Sequence, residues 1–133
     1  MARIDWAILC DSAFLDKQDR LCIIGIIGKF PVAAVPLTVR QVTLVAHLTD
    51  IQPVDEVAIV VGVVDPSGGH GARMGSDDVT IEMSGHYILT TLRNVPLSEE
   101  GVYHFQIQLR GQPVRSLDIP VLATSRAGYS QVQ

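Results

Sequence analysis

Residues 102–110 alternate without a break. Tyr103, Phe105, Ile107 and Leu109 share one parity, and Val102, His104, Gln106, Gln108 and Arg110 share the other. A period of two is the mark of a strand with one buried and one wet face. The same pattern returns after Gly111-Gln112, a pair suited to a tight hairpin. In residues 114–123, Leu117, Ile119, Val121 and Ala123 face in, while Ser116, Asp118 and Pro120 face out. Pro120 has no N–H to give to a neighbour, which predicts an edge strand.

The rest of the chain follows suit. Val and Ile number 29 against 22 for Leu and Ala, a balance that favours strands. Residues 37–49 alternate with one change of parity, which predicts a bulge near Arg40-Gln41. Residues 56–64 are apolar on both faces, which predicts a central or covered strand. Residues 79–84 and 86–93 are two further strands, and 4–10 with 21–28 form an opening hairpin. Gly25 and Gly28 suggest a kink or a close backbone approach in its second arm. No 12-residue window carries a helical stripe. The expected fold is all-β, a single antiparallel β-sandwich of seven or eight strands, immunoglobulin-like, over residues 1–124, with a polar tail at 125–133. Tyr103 is expected to hydrogen-bond back to the corner that precedes its strand.

Composition narrows the function. A chain of 133 residues makes one domain and buries enough surface to fold without metal or disulfide. Ten basic and 14 acidic residues leave a formal charge of −4, which argues against a general nucleic-acid binder. No apolar run is long enough to span a membrane. Asp5 interrupts what would be the core of a signal peptide, so a cytoplasmic address is expected. Cys10 and Cys22 are read as two small buried thiols on neighbouring strands, with a disulfide as the alternative.

Signatures of chemistry are sparse. There is no G-x-S-x-G elbow, no H-x-H pair and no C-x-x-C pair, and Gly68-Gly69-His70-Gly71 lacks the Lys-Ser/Thr of a phosphate loop. No catalytic residue, cofactor or metal is therefore expected. The loop 65–78 is the longest polar segment, and long loops in compact domains are often functional. It supplies the candidate interaction or ligand residues Asp65, His70, Arg73, Asp77 and Asp78. With Asp11, Asp16 and Asp19 these aspartates also define a calcium-binding alternative. The apolar segment Lys29–Pro36 is expected to cover one end of the core.

Three stretches carry a resemblance. They are Trp6-Ala7-Ile8-Leu9-Cys10-Asp11, then Asp19-Arg20-Leu21-Cys22-Ile23-Ile24-Gly25, and Gly101-Val102-Tyr103-His104-Phe105-Gln106-Ile107. With the turn Val64-Asp65-Pro66-Ser67-Gly68 they resemble a family of small bacterial proteins of unknown function. The chain departs from that pattern at Lys17-Gln18-Asp19-Arg20, where the family tends to place a glycine. The resemblance implies a compact bacterial β-sandwich and brings no activity with it. The expectation for function is a non-catalytic interaction or assembly module of a bacterial cytoplasmic complex. It would dock to a protein partner or to itself, with no nucleic acid and no membrane. The apolar character of both faces of 4–10 and 56–64, and a mean hydropathy of +0.30, motivate it.

Overall fold

The computed structural model describes residues 2–51, 59–68, 76–110 and 112–123. Among these residues nine strands form two sheets. They are β1 (Arg3–Leu15), β2 (Leu21–Ile26), β3 (Phe30–Val32), β4 (Leu37–Thr49), β5 (Ile59–Val64), β6 (Val79–Ser84), β7 (Tyr87–Leu97), β8 (Gly101–Leu109) and β9 (Arg115–Ala123). The five-stranded sheet runs β2-β1-β4-β7-β6, and the four-stranded sheet runs β3-β9-β8-β5. One core joins them: Leu9, Leu44, Ile88 and Leu92 of the first sheet cluster with Tyr103, Phe105, Ile107 and Val121 of the second. The alternation of 102–110 therefore reads through directly into the core.

Several expectations need correction. The ninth strand is β3, which lies inside the segment expected to be a loop. It pairs parallel with Val121–Ala123, so the sandwich is not purely antiparallel. The segment still covers the core, with Phe30 packed at 6.3 Å from the Phe105 ring and Val32 buried. The strand containing Pro120 is not an edge strand, since β9 lies between β3 and β8. Its partner β3 pairs only with residues after Pro120, so the missing N–H falls where β9 has no neighbour on that side. Conversely β5, expected to be central or covered, is an edge strand, and Val60 is 67% exposed. The β8–β9 connection is longer than a two-residue turn and is closed by the Gln112 N–H on the Leu109 carbonyl. Gly111 lies outside the described residues.

The parity change in β4 is real, but it is not a bulge against β7. Val39 packs against the core, and so do Val42 and Leu44. The register with β7 nevertheless runs straight from Leu37–Leu97 to His47–Tyr87. Both strands change face together, because β7 switches from Leu92 to Val95 across Asn94, which takes φ +55°. The irregular register lies instead on β1, between Ile4 and Trp6.

Tyr103 behaves as expected. Its buried hydroxyl donates to the Glu99 carbonyl at 3.0 Å and accepts from the Glu99 N–H at 3.2 Å. Beside it, the two glycine-bearing motif segments meet. Gly101 takes φ +131°, and a Cβ there would lie 2.8 Å from Cβ of Pro66. The turn Val64–Gly68 thus sits on the start of β8, across a gap of some 35 residues in sequence.

Candidate docking surface

The candidate loop residues divide. Asp65 follows β5 and is buried; its carboxylate accepts from the Ser67 hydroxyl at 3.0 Å and its carbonyl from the Gly68 N–H at 3.0 Å. These bonds shape the turn that carries Pro66. Asp77 and Asp78 lie in a 3₁₀ turn, Ser76–Asp78, and Asp78 accepts from the Asn94 amide at 3.0 Å. His70 and Arg73 lie outside the described residues. Among the described residues, no three His, Cys, Asp or Glu side chains converge as a metal site would require. The structure therefore does not gather Asp11, Asp16, Asp19, Asp65, Asp77 and Asp78 into one ion cage.

The opening hairpin is longer than its sequence suggested. Asp11–Leu15 continues β1, and the turn is confined to Asp16–Arg20. Asp16 organises that turn: its carboxylate accepts the Arg20 and Gln18 N–H groups at 2.9 and 2.8 Å and the Arg20 guanidinium at 2.8 Å. The Arg20 N–H is the main cause that holds the Asp16 carboxyl below its ordinary value. Asp19 takes φ +60°. It occupies the left-handed position that suits the glycine of the resembled pattern, and Asp tolerates it better than most residues do.

This hairpin folds back on its own sheet. A strand rises about 3.3 Å per residue, so a straight β1 would put Leu15 roughly 30 Å beyond Trp6. Trp6 is in register with His47, and His47 with Tyr87. Yet Leu15 and Asp19 line one cavity of about 290 Å³ with Gly85, His86 and Tyr87. The bend lies where Asp11 faces Gly25, which takes φ +68° and would carry a Cβ only 3.1 Å from that of Asp11. Gly25 is the close approach expected; Gly28 has nothing within 4 Å. The returning hairpin explains an otherwise odd burial. Cys10, Thr43, Val45 and Leu89 point away from the core between the sheets, yet all are buried.

Cys10 and Cys22 are both free thiols, since the register pairs Cys10 with Ile26 and Cys22 with Phe14. Burial, with a smaller push from Asp11, raises the Cys10 thiol to about 11. At the start of β1, Trp6 stacks on His47 with ring centres 5.6 Å apart, and Tyr87 closes the group at 5.1 Å from His47. The Asp5 carboxylate lies 3.3 Å from Nδ1 of His47. His104 lies on the outer face as expected and holds Asp118 at 2.7 Å.

What sequence reasoning missed is the outward side of the hairpin. Phe14, Ile24 and Ile26 are 47, 53 and 69% exposed, with Cys22 directly across from Phe14. The signal was present in Leu21-Cys22-Ile23-Ile24-Gly25-Ile26, which is apolar at both parities. Leu21, Cys22 and Ile23 are partly covered, and Ile24, Gly25 and Ile26 are left to solvent.

The described residues define a β-sandwich with an overlying hairpin, an architecture that does not by itself fix a function. The chain belongs to DUF6941, a family of unknown function, whose family model matches residues 5–122. No curated protein and no solved structure matches it. Among the described residues, no helix is long and apolar enough to cross a membrane.

Proposed function

We propose that this protein is a non-catalytic interaction module that docks through the outward side of the β1–β2 hairpin. The observation that carries it is the exposed apolar row Phe14, Ile24 and Ile26. Three large exposed apolar side chains on two adjacent strands of one hairpin favour a binding surface over scattered surface apolarity. The strand that bears two of them is an edge strand, and no charge or proline blunts it between Leu21 and Ile26. The setting proposed is a cytoplasmic bacterial assembly.

The immunoglobulin-like character of the sandwich belongs to the same proposal. It is supported by the order β1-β4-β7-β6 against β5-β8-β9 and by the Tyr103 corner at the start of the penultimate strand. A pull-down of tagged full-length protein from its own host tests docking. A stoichiometric bound protein, or further copies of the chain, is expected with the wild type and lost with Ile26→Asp. Retention of every bound protein by Ile26→Asp, with the fold intact by circular dichroism, would exclude the hairpin as the docking surface.

A further inference from the structure

We propose that the cavity between the opening hairpin and the β6–β7 turn is a binding site for a small organic cation of the quaternary ammonium class. Its walls are Leu15 and Asp19 from the hairpin and Gly85, His86 and Tyr87 from the turn. Its volume of about 290 Å³ lies at the small end of ligand clefts, which run from roughly 300 to 1,000 Å³. The site shares no residue with the exposed row Phe14, Ile24 and Ile26, so it goes beyond the docking role and is tested apart from it.

Two features of the walls select a cation. The first is charge. Asp19 brings a carboxylate to the cavity, and no lysine or arginine lines it. Among the described residues no side chain pairs with that carboxylate. Arg20 of the same turn is already held by Asp16, and Lys17 is not part of the walls. The second feature is aromatic surface. Tyr87 and His86 end a run of four rings. Trp6 stacks on His47, whose ring centre lies 5.1 Å from that of Tyr87 and 6.2 Å from that of His86. Aromatic rings attract a cation held within about 6 Å of their faces. The Asp5 carboxylate, 3.3 Å from Nδ1 of His47, adds a second negative charge behind these rings.

Both walls are held before any ligand arrives. The Asp19 N–H donates to the Asp16 carbonyl at 3.0 Å, and the His86 carbonyl accepts from the Leu48 N–H at 2.7 Å. Little ordering is then left for binding to impose. The wall chemistry also narrows the kind of cation. One carboxylate is too few for calcium, which takes about six to eight oxygens. A primary ammonium has N–H groups to satisfy on every side. A quaternary ammonium donates no hydrogen bond, so ring and alkyl surface with a single carboxylate suits it best.

The test is an amide-resolved NMR titration of the full chain with choline chloride, at ionic strength matched with sodium chloride. The control is the alcohol in which carbon replaces the nitrogen of choline, the same shape without the charge. Choline should shift the Asp19, Gly85, His86 and Tyr87 amides saturably, and the alcohol should bind several times more weakly. Asp19→Asn keeps a residue that tolerates the φ of +60° at that position. It should weaken choline by about threefold, the worth of one exposed ion pair, and leave the alcohol unchanged. No saturable shift at those amides overturns the site. So does an alcohol that binds as tightly as choline, or a choline affinity indifferent to Asp19→Asn.

Discussion

Gly101→Ala should be among the most damaging single-methyl substitutions in the chain. Gly101 takes φ +131°, a region that L-residues occupy at a cost of about 1–3 kcal/mol. The new Cβ would also lie 2.8 and 2.9 Å from Cβ and Cγ of Pro66, closer than real Cβ atoms come to their neighbours. Pro66 is part of a ring held in the Asp65–Gly68 turn, so it cannot swing aside as a flexible side chain would. Relieving that overlap adds about 1 kcal/mol or more. The sum is about 2–4 kcal/mol, or roughly 10 °C in melting temperature for a domain of this size. Urea unfolding is the assay, with the midpoint falling and the m-value unchanged. Pro66→Gly removes both crowding atoms. The double variant should therefore lose about 1 kcal/mol less than the sum of the singles, which separates the clash from the backbone strain. A Gly101→Ala protein within about 0.5 kcal/mol of wild type would refute the reasoning, because that is the range of an uninvolved surface site.

Tyr103→Phe should cost about 1–2 kcal/mol in urea, since it strands the N–H and carbonyl of Glu99 at a partly buried corner. Asn94→Ala should cost about 1–2 kcal/mol, from the positive φ and the lost bond to Asp78, whereas Asn94→Gly should cost clearly less. Native protein should react with a thiol reagent at Cys22 and be protected at Cys10, which is buried and has its thiol raised to about 11; both should react in denaturant, and mass spectrometry of the labelled peptides decides. Asp118 is held below its ordinary 3.8 by the His104 ring and then by the Ser116 hydroxyl, so its contribution to stability is present above that value and lost as pH falls through the lower folded one. Urea midpoints of wild type and Asp118→Asn should accordingly differ near neutrality and converge in acid.

Much of the sandwich was legible because its strands have one wet face. Tyr103, Phe105, Ile107 and Leu109 announce their own burial by alternation, and each is in the core. Asp11 misled because a charged residue after an apolar run reads as a turn; here it is an exposed position on a bent strand, facing a glycine. Pro120 misled because an edge can be local: on its β3 side β9 has a neighbour along only part of its length. The proposed docking surface was half legible. Periodicity shows that both faces of Leu21–Ile26 are apolar, but only the fold decides that Leu21–Ile23 are partly covered and Ile24–Ile26 exposed. The polar loop drew attention through composition, yet the bonds of Asp65 and Asp78 are those of turn-making residues.

The most direct measurement is site-specific photo-crosslinking in the native host. A photoreactive phenylalanine analogue replaces Phe14 in one strain and Ser116, exposed on the opposite sheet, in another. Docking through the hairpin predicts a discrete covalent adduct from position 14, either a second copy or another protein, and none from position 116. An adduct from 116 alone, or no adduct from 14 in a correctly folded chain, would contradict it.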